Sequence, residues 1–528
     1  MTTLLDTRRP RLLLVMLCLA LWLPGFFTMP PGDRDESRFV QATKQMLETG
    51  DFVRIMNGTE ARNRKPIGIH WLQAPFVAAA AAVGLAHENP VWPYRIPSLL
   101  GGLVAVLACF ELGCSLVGRR AALLGAAMLA ACAAVVVEVH IAKTDAALLG
   151  ATTLVMALLG RAYHDTARFG RGAAAAFWLT MGVGVLLKGP ITPMVAGLAA
   201  LALVVADRSA AWLRALRAGW GVPLMLLVVL PWFIAIGVAT HGKFFTDAVG
   251  GDLGRKLTSG DDSHWGPPGL HLMLLPVLLF PAVAALPGGV AAAWRGRREP
   301  AVRFLIAWIV PAWLVFEAAP TKLPHYPLPL YPAVCLLMAT GVVAGMRAWG
   351  WVGAALAAAI TAVFAASGVG AAVFLGLDPW LGAPCLAAAL IVGWFAVRVA
   401  HERAALAAIM ASVLLYAAVL GWELPRLWPL WIAPRVVASV PTGRLGSVGF
   451  AEPSLMVLAG TGTQFLLPVD GVQALADGSV DVLLVGDRDL AAVQAGLLAR
   501  SVATHVVGIV PGFNYSRGRR VVLTALAR

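Results

Sequence analysis

The stretch Gly350 to Phe374 reads GWVGAALAAAITAVFAASGVGAAVF and contains no charged side chain. A helix needs roughly 20 apolar residues to cross the hydrocarbon core of a bilayer, so this stretch predicts a membrane span. Similar apolar runs recur from residue 12 to residue 422. We therefore predict a polytopic α-helical membrane protein.

The composition supports this class and excludes others. The chain has 528 residues, of which 59% are hydrophobic and 13% are charged, whereas soluble domains carry about 45–50% apolar and about 25% charged residues. A soluble enzyme, a disordered protein and a nucleic-acid binder are excluded. A membrane β-barrel is excluded as well, because the apolar residues form long runs rather than alternating with polar ones.

The distribution of Lys and Arg predicts which loops face the cytoplasm. The formal net charge is +13, and the basic residues gather in every second loop, which is the positive-inside pattern. We read the first run as a retained span, because no small-x-small cleavage site follows it. The run 71–87 is read as a juxtamembrane helix on the outer surface. The thirteen predicted spans are 12–29, 96–117, 122–138, 145–162, 173–187, 191–206, 220–239, 271–292, 302–318, 327–345, 350–374, 381–399 and 404–422.

The tail differs from the rest of the chain. After Pro434 the apolar residues come in four short runs, 447–450, 480–485, 505–510 and 520–525, and one helical stretch, 489–500, lies between the second and the third. This pattern predicts a small α/β domain outside the membrane. We divide the chain into a transmembrane domain, 1–433, with an outer first loop, 30–95, and an outer domain, 434–528. The six cysteines lie in apolar runs without a CxxC pair, so we predict no disulfide framework.

Charged residues of both signs gather in the outer loops. Each has an ordinary explanation alone, as a helix cap or a lysine reaching the membrane surface, but their common placement favours a functional site. Outside an inner membrane there is no nucleotide-sugar supply, so a transferase there needs a lipid-borne donor. Cations would stabilise a departing phosphate, and a carboxylate would act as general base. The loops contribute Asp33 to Arg38, Arg62 to Lys65, Lys143 to Asp145, Lys188, Asp252 to His264 and Thr321 to Tyr326.

Several of these motifs resemble those of the GT-C glycosyltransferases. Asp35 to Phe39 with Met46 to Asp51 is similar to a first-loop signature, D-E-x-R-Y/F…M-L-x-x-G-D. The resemblance is strongest to the aminoarabinose transferase group (glycosyltransferase family 83), which is related to protein O-mannosyltransferases. The other matching motifs are Lys65-Pro66, Asp145, Gly184 to Gly189, Lys322 to Tyr326, Glu452 to Leu455 and Gly512 to Ser516.

The resemblance implies a GT-C fold and an inverting transfer of a sugar from undecaprenyl phosphate. Asp35 would be the catalytic carboxylate, with Asp33 as the competing candidate. Glu36 and Arg38 would brace Asp35, and Asp145 would position the donor or support the loop. The residues expected to bind the lipid phosphate are Lys65, Arg255 and Tyr326, supported by Lys188 and Lys322.

Two departures from the family pattern concern metal binding and specificity. Arg64 stands where an acidic residue is usual, and Asp252 to Lys256 replaces an H-x-x-R-F stretch. We therefore assign no metal ion, although His70, Asp252 and His264 are of ligand type. The acceptor is predicted to be lipid A, another glycolipid or a protein hydroxyl, and 4-amino-4-deoxy-L-arabinose is the first candidate sugar. A transporter or flippase of a lipid-linked precursor is the alternative from another class.

Overall fold

A computed structural model describes residues 5, 7–63, 65–85, 90–248, 265–346, 349–399 and 401–528. Each of the thirteen predicted spans contains a helix within this part of the chain. In the first half these are α1 (Pro10–Trp22), α4 (Trp92–Leu116), α5 (Arg119–Ala131), α6 (Ala133–Val139), α7 (Thr144–His164), α8 (Arg171–Lys188), α9 (Ile191–Asp207) and α10 (Ala218–Ala239). In the second half they are Leu270–Leu278, Leu286–Gly296, Pro300–Ala318, Tyr331–Val343, Gly350–Phe374, Ala383–Ala396 and Glu402–Tyr416.

The lengths of these helices support a multi-pass membrane protein. Among the described residues, 7 helices are long and apolar enough to cross a membrane, or up to 9 if each of two bent pairs counts as one span. The remaining four predicted spans contain the helices α1, α8, α9 and Tyr331–Val343, which have 13 to 18 residues. For these four the spanning role stays a prediction.

The two bent helix pairs meet inside the bundle. The pair α5 and α6 is bent by 57° at Cys132, and the pair Leu270–Leu278 and Ala282–Gly296 is bent by 116°. A break inside a membrane frees backbone groups that need new partners. The N–H of Ala133 donates to the carbonyl of Phe280 at 3.0 Å, and the Cys132 thiol donates to the carbonyl of Leu278 at 2.8 Å. Each break therefore supplies partners to the other.

Side chains of the first and last helices of the bundle bind further carbonyls at the bend between α5 and α6. The Trp22 indole donates to the carbonyl of Ala130 at 2.9 Å. The Tyr416 hydroxyl donates to the carbonyl of Ala131 at 2.7 Å. Both donors are buried, so the bend at Cys132 leaves neither of these carbonyls without a partner in hydrocarbon.

Two helices lie in the first outer loop, and a short antiparallel pair of strands, β1 (Met56–Asn57) and β2 (Glu60–Ala61), lies between them. The first, α2 (Asp35–Thr49), ends at Gly50, whose left-handed φ of 72° lets its N–H donate to the carbonyl of Met46 at 2.9 Å. Asp51 then accepts the N–H groups of Val53 and Arg54 at 3.0 Å each, which turns the chain. The second, α3 (Gly68–Ala82), has 15 residues and is shorter than a span requires. This length agrees with the predicted juxtamembrane helix.

The tail folds into a five-stranded mixed sheet. Strands β3 (Leu445–Val448), β4 (Gln464–Leu466) and β5 (Val482–Gly486) are parallel, and β6 (His505–Asn514) and β7 (Arg519–Ala527) join antiparallel, in the order β4-β3-β5-β7-β6. The predicted helix is observed as Leu490–Ala499. Two further helices, Pro453–Ala459 and Pro468–Asp477, connect the strands. The predicted boundary at residue 434 falls within a helix, Ile432–Ser439, whose apolar side chains pack into this domain.

Candidate active site

A buried ion pair fixes the start of the first loop helix. Glu36 accepts from Arg95 through two bonds, at 2.8 Å and 3.1 Å. The same carboxylate accepts the N–H groups of Gly32 at 2.7 Å and of Ala142 at 2.9 Å. The Arg95 guanidinium uses its remaining donors on the carbonyls of Phe26, Met29 and Pro30. We call the Glu36–Arg95 pair with these partners the brace.

The brace holds four segments of chain together at one point. The side chains of Arg95 and Glu36 are 0% and 4% exposed, and an ion pair so deeply buried is stable only when its hydrogen bonds are complete. It ties the end of the first span, the start of α2 and the chain before α7 to α4. These contacts are compatible with the predicted bracing of Asp35 by Glu36, and that role stays a prediction.

Asp35, the next residue along the chain, lies in a different environment. Its side chain is 49% exposed, and its carboxylate is 3.8 Å from the Arg62 guanidinium. Burial would raise the pKa of Asp35, but Lys65, Arg62 and Lys143 outweigh it and hold that pKa below its usual value. The carboxylate is therefore ionised at neutral pH and has room for a further partner. Asp35 is the first residue of α2, and the N-cap position is occupied by Arg34, so the helix-cap interpretation does not account for Asp35.

An aromatic ring supports the cations beside Asp35. The Arg62 guanidinium lies 4.5 Å and the Lys65 ammonium 4.9 Å from the centre of the buried Phe39 ring. Burial, together with Lys188 and Arg62, lowers the pKa of Lys65 to about 8, although Asp35 and Asp145 act in the opposite direction. Lys65 therefore carries its charge at neutral pH with little margin.

Two lysines hold Asp145 at the start of α7. The Lys188 ammonium donates to Asp145 at 2.5 Å, and the Lys143 ammonium lies 3.5 Å from the other carboxylate oxygen. Lys143 also pairs with Glu138 at 3.0 Å. Burial would lower the pKa of Lys143, but Glu138 and Asp145 outweigh it and raise that pKa. The N-cap position of α7 is occupied by Lys143, so Asp145 is not the cap residue, and its carboxylate is paired with the Lys188 and Lys143 side chains.

The motif from Lys322 to Tyr326, which reads KLPHY, lies next to Asp145 and its lysines. The His325 ring lies 3.6 Å from both Glu138 and Asp145, and burial lowers the pKa of His325 to about 3, so the ring is neutral and these contacts are not ion pairs. The Lys188 ammonium lies 5.1 Å from the centre of the Tyr326 ring. We call the whole set the mouth cluster. It consists of Asp35, Arg62, Lys65, Glu138, Lys143, Asp145, Lys188, His325 and Tyr326.

The structure thus brings most of the predicted site residues together, but not all of them. The Lys322 ammonium donates to the carbonyls of Gly266 at 3.0 Å and Ala319 at 2.7 Å, which occupies it at the end of a helix. Arg38 is exposed on α2, where its charge helps to lower the pKa of Asp35. Arg255 lies outside the described residues. The phosphate-binding roles of Lys322 and Arg255 stay predictions.

Asp33, the competing catalytic candidate, faces the outer domain. Its carboxylate accepts the hydroxyl of Ser454, and its N–H donates to the Tyr515 hydroxyl at 2.5 Å. No ion pair links it to the cations beside Asp35 among the described residues. The geometry therefore favours Asp35 over Asp33 as the carboxylate next to a phosphate site.

The possible metal ligands do not form a group in the part of the chain that the structure describes. No three His, Cys, Asp or Glu side chains there lie close enough to hold a metal ion. The His70 ring is hydrogen-bonded to Thr43 at 2.7 Å and stacked on Phe39. Asp252 and His264 lie outside the described residues.

The sequence interpretation missed the functional contacts of four residues. Arg95 was not singled out, although an arginine beside an apolar run at membrane depth needs a buried partner. Arg62, Glu138 and His325 were noted within motifs or near spans but given no role. Their contribution depends on contacts between distant segments, such as Arg62 with Asp35 and His325 with Asp145.

Comparison with known proteins places this geometry in a fold family. The crystal structure of ArnT from Cupriavidus metallidurans bound to undecaprenyl phosphate superposes with a TM-score of 0.78 at 20% identity, and the match covers 97% of each chain. The chain has the GT-C fold. The archaeal oligosaccharyltransferase AglB from Archaeoglobus fulgidus matches more weakly, with a TM-score of 0.53, 12% identity and coverage of 90% of this chain and 69% of AglB.

Sequence comparisons agree with the fold. The family pattern described as dolichyl-phosphate-mannose-protein mannosyltransferase matches residues 12–243. The undecaprenyl phosphate-alpha-4-amino-4-deoxy-L-arabinose arabinosyl transferase of Pseudomonas aeruginosa PAO1 is 28% identical over 335 residues, 62% of this chain and 56% of the relative. That of Enterobacter sp. strain 638 is 25% identical over 379 residues, 68% of this chain and 62% of the relative. The GT-C chain thus spans less than two thirds of these relatives, and the predicted resemblance to the aminoarabinose transferase group is confirmed.

Proposed function

We propose that the protein is a glycosyltransferase that moves one sugar from undecaprenyl phosphate to an acceptor at the membrane surface. The observation that carries this proposal is the half-exposed, ionised Asp35 beside Arg62 and Lys65, with the lysines around Asp145 next to them. Such a site offers cations to a phosphate and a carboxylate to a nucleophile in one place. The GT-C fold and the relatives named above support the same reaction class.

In the proposed reaction the lipid phosphate is the leaving group. A bond forms between an acceptor oxygen and the anomeric carbon, while the bond from that carbon to the phosphate oxygen breaks. The phosphate gains negative charge in the transition state, and Lys65 with the other cations stabilises it there more than in the ground state. Tyr326 and Arg255 complete the proposed phosphate site.

Asp35 acts on the acceptor in this proposal. A hydroxyl acceptor loses its proton as it attacks, and ionised Asp35 takes that proton. A lipid A phosphate is already deprotonated, so Asp35 would then orient the acceptor and balance the developing positive charge on the sugar ring. Asp145, held by Lys143 and Lys188, positions the donor.

We place the protein in a bacterial inner membrane with the mouth cluster facing the periplasm. The positive-inside distribution of Lys and Arg supports this orientation. At the opposite end of the bundle, Arg11 pairs with Glu111 at 2.6 Å and Arg120 with Glu402 at 2.6 Å. Our first candidates for sugar and acceptor are 4-amino-4-deoxy-L-arabinose and lipid A, after the relatives' names.

Transfer by purified protein in vesicles tests the proposal. Undecaprenyl phosphate-aminoarabinose and undecaprenyl phosphate-mannose are supplied separately with lipid A, and products are identified by mass spectrometry. Lipid A that gains the aminoarabinose mass supports the proposal. If neither donor is consumed, while lipid A, glycolipids and envelope proteins of a deletion strain match those of its parent, the proposal is wrong.

A protein hydroxyl is the second candidate acceptor, and the family pattern over residues 12–243 favours it. Envelope proteins that lose a sugar in the deletion strain, with lipid A unchanged, would support this acceptor. The transporter alternative is less well supported. Of the acids near spans, Glu111 pairs with Arg11 and Glu317 accepts the N–H of Gly269 at 2.9 Å, so both are engaged near helix ends. Movement of the donor across vesicles without product would support transport.

A further inference from the structure

Two motifs of the outer domain that lie far apart in sequence come together in the fold. Glu452 begins the turn before the helix Pro453–Ala459, and Asn514 ends strand β6. The Asn514 amide donates to the buried Glu452 carboxylate at 2.9 Å, and Arg517 lies 3.8 Å from the same carboxylate. This contact fixes the neighbouring residues, Ser454 and Tyr515, relative to each other.

Ser454 and Tyr515 both bind Asp33 in the first outer loop. The Ser454 hydroxyl donates to the Asp33 carboxylate, and the Tyr515 hydroxyl accepts the Asp33 N–H at 2.5 Å. Burial raises the pKa of Asp33 to about 6, against the effect of the Ser454 bond. Asp33 is thus a partly buried acid that, within the described part of the chain, is hydrogen-bonded to the outer domain, two residues before Asp35.

The residue between Asp33 and Asp35 has a strained backbone. Arg34 has a φ of 62° and a ψ of −97°, a conformation that residues with a side chain adopt only when the surroundings enforce it. On the far side of Asp35, the brace holds Glu36, and the Ser37 hydroxyl donates to the carbonyl of Gly32 at 2.6 Å. The turn is therefore fixed at both ends, by the brace on one side and by the outer domain on the other.

The outer domain also contacts α2 away from this turn. The Lys44 ammonium donates to the carbonyl of Val457 at 3.0 Å. Gln41 donates to Thr461 at 2.8 Å, and Thr461 donates to Glu48 at 2.7 Å. These bonds dock the domain on the helix without reaching the strained turn, so docking and control of the turn are carried by different residues.

We propose that the outer domain is a positioning element of the active site. Ser454 and Tyr515, acting through Asp33, hold the strained turn at Arg34 and so set the direction of the Asp35 carboxylate. Among the described residues, no hydrogen bond or ion pair joins Ser454 or Tyr515 to the mouth cluster, and both are positioning residues. The inference rests on the proposed function, because it assumes that the direction of Asp35 limits turnover.

The test compares Tyr515→Phe and Ser454→Ala with Lys44→Met, a control at the same interface. A displacement of about 1 Å in a reacting group can cost about 10²-fold in rate, so we expect the turnover number of the first two variants to fall roughly 10- to 100-fold. We expect the donor KM to stay within about twofold, because the cations that bind phosphate are untouched. Lys44→Met should keep both constants within about twofold, and Ser454→Thr, which keeps the hydroxyl, should recover most of the turnover.

Hydrogen exchange of the full-length protein gives a readout that does not need turnover. Exchange of the amides in 32–38 should rise in Tyr515→Phe and not in Lys44→Met. Unchanged exchange in this segment, or wild-type turnover in both Tyr515→Phe and Ser454→Ala while Asp35→Asn is inactive, would overturn the inference and leave the proposed function intact. Wild-type turnover in Asp35→Asn would instead overturn the catalytic role on which the inference rests.

Discussion

The brace and the mouth cluster begin at neighbouring residues and use their carboxylates in opposite ways. Glu36 is 4% exposed and accepts four bonds of 2.7–3.1 Å from Arg95, Gly32 and Ala142. Asp35 is 49% exposed, and its nearest ion-pair contact is 3.8 Å from Arg62. A carboxylate whose acceptor sites are filled by the fold supports structure, whereas one that is ionised, surrounded by cations and still open is available to a substrate.

The largest expected effect comes from removing the charge of the open carboxylate. With a hydroxyl acceptor, Asp35→Asn should lower turnover about 10²- to 10⁴-fold, the range attributed to a positioned general base, and with either acceptor it should leave thermal stability unchanged. Single-turnover kinetics with the lipid-linked donor, alongside a thermal unfolding curve, checks both parts. Glu36→Gln is the matched control, and it should lose stability. Equal loss of stability in the two variants would remove the distinction between the two carboxylates.

The second effect concerns the brace. Arg95→Met leaves the Glu36 charge buried without its partner, and breaking a buried pair in this way costs about 3–5 kcal/mol. Arg95→Lys should recover only part of this stability, because an ammonium cannot replace a guanidinium that binds a carboxylate through two bonds and three carbonyls as well. Unfolding in detergent measures both variants. If Arg95→Lys were as stable as the wild type, the structural role of the Arg95 guanidinium would be contradicted.

The third effect tests Lys65 through pH. Its pKa of about 8 means that the charge is present below pH 8 and is lost as the pH rises through that value. The kcat/KM for donor should therefore fall on the alkaline side, with an apparent pKa near that of Lys65 in the enzyme without bound donor. In Lys65→Arg the cation persists, so this alkaline limb should disappear. A limb that is unchanged in the arginine variant would assign the titration to another group.

The smallest effect on activity is expected at Lys322. Its ammonium is occupied by the carbonyls of Gly266 and Ala319. Lys322→Met should cost about 1–3 kcal/mol of stability through those unsatisfied carbonyls and should keep the donor KM within about twofold. A much higher KM, with stability unchanged, would show that Lys322 turns toward the lipid phosphate when the donor binds.

Much of the fold could be predicted from the sequence because it depends on local signals. Apolar length located each helix of the bundle, and the alternation of basic loops assigned the ends of the helices to one side or the other. The four main strands of the tail were located within a few residues. The three-residue strand β4 and the helices Pro453–Ala459 and Pro468–Asp477 were missed, because short elements leave little pattern and depend on packing against their neighbours.

The candidate site was predictable in its composition and less so in its contacts. Asp145 lies at the start of α7 and Lys188 at the end of α8, the next span, so topology places both residues on the same side of the membrane. Glu36 meets Arg95 across 59 positions, and Asp33 meets Ser454 across 421 positions. Contacts of that kind depend on how the first outer loop packs against the bundle and against the outer domain, which no local pattern encodes. Lys322 resembles a ligand lysine in its motif, yet the carbonyls that bind it belong to backbone whose direction the sequence does not reveal.

The hydrogen bonds that join the helix breaks at Cys132 and Phe280 have a consequence for how the chain enters the membrane. The N–H of Ala133 finds its acceptor 147 positions later at Phe280, and the carbonyl of Ala131 finds its donor 285 positions later at Tyr416. A ribosome-bound chain that stops between these points would leave polar backbone in lipid, where each unpaired group costs several kcal/mol. The first bent pair must therefore either enter the bilayer late or be sheltered by the insertion machinery until the later helices arrive.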